Sequence, residues 1–565
     1  MRKAMLHVSF LYVATLLPTA TDAQAALLDP AWTQTLFSTN SGGAQHTGLA
    51  WAPDGSDRLF VLEKTGRVRV LSGATTSTTP TWTTFATMSP IHTNSECGLI
   101  GMAFAPDFAT SQHVYFFVTT SSSEQQILRY TAQGNIGSNR TLIIGNLPTA
   151  GFNHDGGGIG FGADGKLYFA IGDLGSATGV DDDLNSLASK VGRANREGTA
   201  VVDNPFHDNG GPNNDYIWAR GFRNPFTMTF QPETGALWLN VVGTGYEQIF
   251  VVTRGGHGGY NDYENNQPST YLQPVIVYRT NGTDTRTIPA NGAVRNNGVA
   301  TFTTSNSHGF RVGGEITISG VSDSSFNTTT FIASVPTPTS FTITQAGANA
   351  SSGGGNAQTA ALGGSLTGGT FYDATLAPES YRGNFFFGDY NSGNLMRATL
   401  DPVTNAVRSV AIWANGLSSL VDVAPGPDGA LYYTLVDGGN IYRAAYNATQ
   451  QAIVVSGRNL RMDEAAAAVV TVSLAIAPSS PVTVNIARIS GDTDVGVQGS
   501  SALTFTATNW RIPQAVTFFA ASDVDTLDDA AVFRFSAAGL VDVDTTIRVT
   551  DRAQPDLIFR HGFEN

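Results

Sequence analysis

Between residues 48 and 446 short apolar runs alternate with polar positions at a period of two. A recurring unit organises them: an apolar strand, a turn built on Pro-Asp or Asp-Gly, then a second strand rich in aromatic side chains. Leu49-Ala50-Trp51-Ala52-Pro53-Asp54-Gly55 precedes Arg58-Leu59-Phe60-Val61, and Met102-Ala103-Phe104-Ala105-Pro106-Asp107 precedes Val114-Tyr115-Phe116. The unit returns at 160–169, at 230–238, in degenerate form at 370–387, and at 423–433. Six units of this kind predict an all-β chain whose residues 26–446 form a six-bladed β-propeller, with ligands bound at the mouth of its central channel. In such a blade Tyr168, Trp238 and Phe386 fall at strand positions and belong to the core.

Two stretches break the pattern. From 291 to 355 the chain becomes rich in Thr, Ser and Val, with strands predicted at 300–304, 315–321, 328–335 and 340–345. It closes on Ser351-Ser352-Gly353-Gly354-Gly355, a flexible-linker composition. This reads as a small β-module inserted in a surface loop, where an insertion costs little stability. Residues 451–553 alternate apolar and polar in longer strands and predict a C-terminal β-sandwich. Its Asn509-Trp510 corner and its acidic loop at 523–529 resemble a Calx-β-like module, which implies a spacing or adhesive role. Asp463, Glu464, Asp523, Asp525, Asp528 and Asp529 read as solvated acidic positions rather than as a metal site. Residues 554–565 form a short terminal tail.

Composition narrows the function. Charged residues are 13% of the 565, glycines number 62, and the formal net charge is −14, which excludes nucleic acid as a natural partner. Arg2 and Lys3, an apolar run at 4–19 and Ala23-Gln24-Ala25 predict a signal peptide over 1–25, hence an exported protein, periplasmic or secreted. No later stretch is apolar enough to predict a membrane span in the mature chain. The single cysteine, Cys97, has no partner for an internal disulfide and reads as a small buried side chain.

The candidate chemistry lies in Asn153-His154-Asp155-Gly156-Gly157-Gly158, in Ile171-Gly172-Asp173 and in Gly221-Phe222-Arg223-Asn224-Pro225. A histidine, an orienting carboxylate and a guanidinium are the parts needed to take a proton from an alcohol while stabilising a developing anion. Alone, His154 would read as a hydrogen-bonded turn histidine; with Asp173 and Arg223 in register it reads as a base.

These motifs and their spacing resemble the soluble quinoprotein glucose (aldose sugar) dehydrogenases of the glucose/sorbosone dehydrogenase family. The resemblance runs from about 48 to 446 without the insertion and is specific around 95–107, 153–173 and 221–225. It implies an oxidoreductase that oxidises aldose sugars at the anomeric carbon, passing hydride to pyrroloquinoline quinone (PQQ) and then electrons to an external acceptor. It makes His154 the base, Asp173 its orienting acid, Arg223 the stabiliser of the reduced quinone, and Asn224 a cofactor contact, with Glu96 at the pocket rim. It also implies calcium at 243–249, through Gly243 and Glu247, although Gln248 stands where a second acid is usual. Lys190 to Asn195 resembles a connecting loop of the family.

Other positions depart from the family. Asn391, Ser419 and Val421 stand where lysine and arginines usually meet the quinone carboxylates, and Gly158 where an arginine often follows the histidine. Each charge-assisted bond contributes ~1.5–3 kcal/mol, so losing three weakens binding by several powers of ten unless Arg397, Arg382, Lys64 or Arg67 replace them. The departures keep a second reading open: a non-catalytic exported propeller that binds glycans or proteins. A hydrolytic propeller is disfavoured, because the sequence lacks the histidine and acid cluster that a metal-bound water needs.

Overall fold

The computed structural model describes residues 26–39, 43–175, 179–211, 213–522 and 527–551. The expected signal peptide, the tail from 554, and Asp523 and Asp525 lie outside the described residues. The protein is all-β: within those residues there is one four-residue α-helix, Phe108–Ser111, three 3-10 turns, and strands arranged in ten sheets. No helix among the described residues is long and apolar enough to cross a membrane.

Six of the sheets follow the repeat. Their first strands are His46–Trp51, Leu99–Phe104, Ile159–Phe161, Asn224–Phe230, Leu366–Tyr372 and Leu420–Pro425. Each pairs antiparallel with the strand that follows the turn. These first strands touch one another in a closed cycle, the sixth returning to the first. Closure also uses the chain start. Trp32–Ser38 pairs with Ile441–Tyr446 and completes the sixth sheet, so the two ends of the repeat region are hydrogen-bonded together.

The aromatic residues of the repeat explain why the sheets stack. An edge-to-face pair bridges each neighbouring couple: Phe60 to Phe104 at 5.1 Å, Tyr115 to Phe161 at 5.1 Å, and Tyr168 to Phe230 at 5.4 Å. Trp238 to Phe371 at 5.2 Å, Trp32 to Tyr372 at 5.6 Å and Trp51 to Tyr432 at 5.0 Å complete the cycle. Such pairs contribute ~0.5–1.5 kcal/mol each beyond the area they bury. Tyr168, Trp238 and Phe386 are buried as expected.

The ring surrounds a cavity of about 90 Å³ lined by its first strands. Asp422 faces it, accepting a hydrogen bond from Leu49 N at 3.0 Å, and burial raises its pKa to about 7.

The insertion forms two sheets over a shared core that includes Phe302, Phe310, Ile316 and Phe341. They extend beyond 291–355, since Thr285–Thr287 pairs with Asn356–Thr359; within it Ala350–Ser352 pairs with Ala293–Asn296. The glycines at 353–355 are therefore a short connection between strands of the two sheets and not a linker. A Cβ at Gly353 would lie 2.1 Å from the Ala290 carbonyl oxygen. The stretch expected as one strand at 328–335 is broken into Thr328–Phe331 and Ser334–Thr337.

After Tyr446 two further sheets enclose one apolar core containing Val472, Phe505, Phe518, Phe533 and Phe535. Asp463, expected at a solvated position, is instead 3% exposed and paired with Arg196 at 2.5 Å. Lys190 also differs from expectation, because Lys190–Ala194 is a fully buried strand rather than a connecting loop. Its ammonium is accommodated by the carbonyls of Val180 at 2.5 Å and Ala188 at 2.8 Å.

Candidate active site

Antiparallel strand order brings the candidate residues to one end of the ring. Glu96 and His154 precede the first strands of the second and third sheets. Asp173 follows the second strand of the third sheet, Leu167–Ile171, and Arg223 directly precedes the first strand of the fourth. The Pro-Asp and Asp-Gly turns occupy the opposite end.

His154 adopts a left-handed backbone, φ 61°, which a non-glycine residue keeps only when its surroundings enforce it. Three contacts do so. Its amide donates to Glu96 Oε2 at 2.8 Å, and its Nδ1 meets Asp173 Oδ1 at 2.5 Å. Its carbonyl accepts from Leu174 N at 3.4 Å. Gly172 makes this packing possible: a Cβ there would lie 2.1 Å from the His154 carbonyl oxygen and 3.0 Å from that of Arg223.

Asp173 is 2% exposed. It also accepts from Gly175 N at 2.9 Å, and its own amide donates to the Arg223 carbonyl at 2.6 Å. With Nδ1 committed to this carboxylate, the ring proton is held there and Nε2 becomes the basic nitrogen. Nε2 has no hydrogen-bond partner among the described residues.

The Arg223 guanidinium is held from the side, with Nε donating to the Tyr260 hydroxyl and Nη1 to the Val242 carbonyl, both at 3.1 Å. Tyr260 is itself tied to Thr244 Oγ1 at 3.2 Å. The run His257-Gly258-Gly259-Tyr260 thus positions the cation.

Glu96 and Asn224 are hydrogen-bonded to one another beside His154. Asn224 is 1% exposed. Its Nδ2 donates to Glu96 Oε2 at 3.0 Å, and its Oδ1 accepts from Gly156 N at 3.2 Å. Asn224 thus braces Glu96 and the Gly156 loop from inside the protein. Glu96 is the hub joining His154 to Asn224.

Sequence reasoning missed the support beneath His154. The neighbouring Asp155 is fully buried, and accepts from the Cys97 thiol at 2.8 Å and from the Thr149 hydroxyl. Burial, with the hydrogen bond and charge of Asp155, pushes the thiol up to about 12, so Cys97 serves as a neutral donor.

Gly243 and Glu247 lie at the same end of the ring. Glu247 is fully buried, with Oε2 accepting from Leu366 N at 2.9 Å and Oε1 unpartnered. Burial, reinforced by the charge of Asp389, raises its pKa to about 8, so it carries a proton near neutral pH. The 243–245 loop turns its Thr244 and Gly245 amides toward the Glu264 carboxylate, the latter at 2.7 Å. No group of three or more His, Cys, Asp or Glu suited to an ion occurs among the described residues. These residues do not form the oxygen-rich shell that calcium takes.

The positions expected to anchor a quinone are occupied otherwise. Asn391 donates to the Gly364 carbonyl at 3.0 Å, Ser419 is buried with Oγ accepting from Asp437 N at 3.1 Å, and Val421 is buried. Arg382 pairs with Glu379 and Arg397 stacks on Tyr381, both by the turn of the fifth sheet at the far end, and Arg67 pairs with Glu63. Lys64, whose ammonium donates to the Ser95 carbonyl, is the cation beside Glu96. Lys64 and Arg223 are cations at the His154 end of the ring.

The chain is similar to several known proteins. Residues 44–315 match the family model described as Glucose / Sorbosone dehydrogenase. Among curated proteins the chain is 26% identical over 220 residues to the aldose sugar dehydrogenase YliI of Escherichia coli, covering 38% of this chain and 57% of that protein. It is 25% identical over 243 residues to quinoprotein glucose dehydrogenase B of Acinetobacter calcoaceticus, covering 38% of this chain and 49% of the relative. It is also 25% identical over 296 residues to the HIPL1 protein of Arabidopsis thaliana, covering 40% and 42%. The chain thus spans about half the length of the curated relatives it matches. A solved structure of the apo-form soluble aldose sugar dehydrogenase from Escherichia coli superposes with a TM-score of 0.50 at 16% identity. The match covers 74% of this chain and 99% of that one, and bears on the fold alone.

Proposed function

We propose that the protein is an exported aldose dehydrogenase of the PQQ-dependent type, working at the His154 end of a six-bladed β-propeller. On this reading the six ring sheets are the blades, 1–25 is a cleaved export signal, and residues 451–553 are a Calx-β-like sandwich. One observation carries the reading: His154 Nδ1 bonded to a buried Asp173, with Nε2 unpartnered and Arg223 held in the same network.

The chain's own residues handle the proton. Asp173 fixes the imidazole tautomer and stabilises the imidazolium formed when Nε2 takes the anomeric hydroxyl proton of an aldose. Arg223, fixed by Tyr260 and Val242, sets a permanent positive charge where negative charge develops. When bound, the quinone supplies the two-electron acceptor, held by Arg223 and Lys64; electrons then leave to an acceptor outside this chain.

The test is a titration of the purified chain with PQQ, with and without calcium, followed by aldoses and an artificial electron-acceptor dye. Saturable quinone binding with sugar-dependent dye reduction, abolished in His154→Ala, is the expected result. Absence of quinone binding overturns the reading. It would leave the second one, a propeller that binds glycans or proteins, which the buried Ser419 and Val421 at the anchor positions favour.

A further inference from the structure

The Pro-Asp and Asp-Gly turns that mark the repeat lie at the end of the ring opposite His154, and the C-terminal module touches every one of them. In the first sheet, a Cβ on Gly55 would lie 2.7 Å from the Ala515 side chain. In the second, the Phe108–Ser111 helix contacts strand Ala467–Leu474, and Asp107 shares Arg196 with Asp463, at 3.2 and 2.5 Å. In the third, Thr550 Oγ1 donates to the Ala163 carbonyl at 2.8 Å. In the fourth, Arg461 reaches the Glu233 carbonyl at 3.4 Å.

The fifth sheet is bound most firmly. Asp373 accepts from the amides of Arg458 and Asn459 at 2.7 Å each, and Thr375 exchanges hydrogen bonds with Ile453 and Val455. In the sixth, Thr471 donates to the Pro427 carbonyl, and Gly429 packs on Val454.

We infer that residues 451–551 are a fixed plug across the turn end of the ring, closing that end of the central channel and bracing all six sheets. A tethered spacing or adhesive arm would not spend polar contacts on its own ring. Several of these are polar contacts made across the junction: two module amides donate to Asp373, and Arg196 bridges Asp107 of the ring and Asp463 of the module. The turn chemistry then has a second role. Glycines in these turns leave room for module side chains, Gly55 for Ala515 and Gly429 for Val454. The His154 end remains the open mouth, so substrate and any cofactor enter and leave there.

The experiment needs neither quinone nor sugar, so its outcome is independent of the proposed function. A specific protease site is placed in the full chain at the exposed connection 447–450, and the protein is cut after folding. A plug predicts that both fragments co-elute in size exclusion and that the cut protein melts in a single transition. Asp373→Ala in the uncut chain should lower the melting temperature of that one transition and raise amide exchange in all six turns. If Asp373→Ala does not fold, the cleavage result still decides. Separation of the fragments after cutting, or two transitions of which one is insensitive to Asp373→Ala, would overturn the inference.

Discussion

Nδ1 of His154 and Oδ1 of Asp173 lie 2.5 Å apart, although His154 sits in a loop before its sheet and Asp173 beyond the sheet's second strand. The contact fixes which imidazole nitrogen is basic. Asp173→Asn keeps the shape and removes the charge, and an asparagine presenting its amide would favour the opposite tautomer. We expect kcat/KM for aldose oxidation to fall by ~10²–10⁴ with the melting temperature little changed. Steady-state dye reduction beside thermal unfolding checks this. Wild-type turnover in the variant would show that Asp173 does not orient the base.

Glu96 holds the strained His154 backbone and the Asn224 amide through one oxygen. Glu96→Ala leaves both donors without a partner in a half-buried site, which costs ~1–3 kcal/mol. It also frees the left-handed turn, so activity should fall along with stability. Glu96→Gln retains a carbonyl oxygen for the same donors and should recover most of both. Denaturant unfolding and activity of the pair are the measurement. Equal behaviour of the two variants would mean that Glu96 acts through its charge and not as an acceptor.

What the sequence reveals depends on how local the causes are. The Asp-Gly turns and the aromatic residues after them are local signals, and they mark the six ring sheets. His154 and Asp173 are legible for the same reason, since a fixed strand and turn separate them. The Cys97 to Asp155 hydrogen bond joins loops of different sheets, as does the one from Asn224 to Glu96, and no spacing encodes either. Composition misled at 351–355, where glycines fit a linker and close backbone approach in fact demands them. The family resemblance misled at 190–195, where a connecting loop is expected and Lys190–Ala194 is a buried strand with two carbonyls around the lysine ammonium. The plug was hidden altogether: alternating strands after 451 describe a module but not what its faces touch.

Ring closure rests heavily on Trp32. It is 4% exposed and meets Tyr372, Tyr381, Trp413 and Tyr446 edge-on at centroid distances of 5.2–5.9 Å. Trp32→Ala opens a large cavity where strand Trp32–Ser38 joins the sixth ring sheet and should cost ~3–5 kcal/mol. Trp32→Phe, which keeps part of that ring contact, should cost less. Because Trp32 is far from His154 in the sheet order, kcat measured well below the melting point should stay within a few-fold of wild type. A large kcat loss at full folding would show that closure is coupled to the site.

Closure also has a pH dependence. His46, 2% exposed on the first strand of the first sheet, meets Thr434 Oγ1 of the sixth sheet at 2.8 Å. Burial, with the nearby charge of Arg69, lowers its pKa from 6.5 to about 4, so the native state keeps the imidazole neutral. Between pH 6.5 and 4 the unfolded chain binds a proton that the native chain refuses. The stability contributed by the neutral histidine is therefore complete above pH 6.5 and is lost as the pH falls toward 4. The loss amounts to at most about 3 kcal/mol. Carboxylates titrate in the same window, so the informative quantity is the difference between proteins. His46→Asn should be less stable than wild type at pH 7.5, and the gap should narrow as the pH is lowered to 4. Urea unfolding at half-unit pH steps measures it, and a gap that stays constant over that range would remove His46 from the acid sensitivity of the ring.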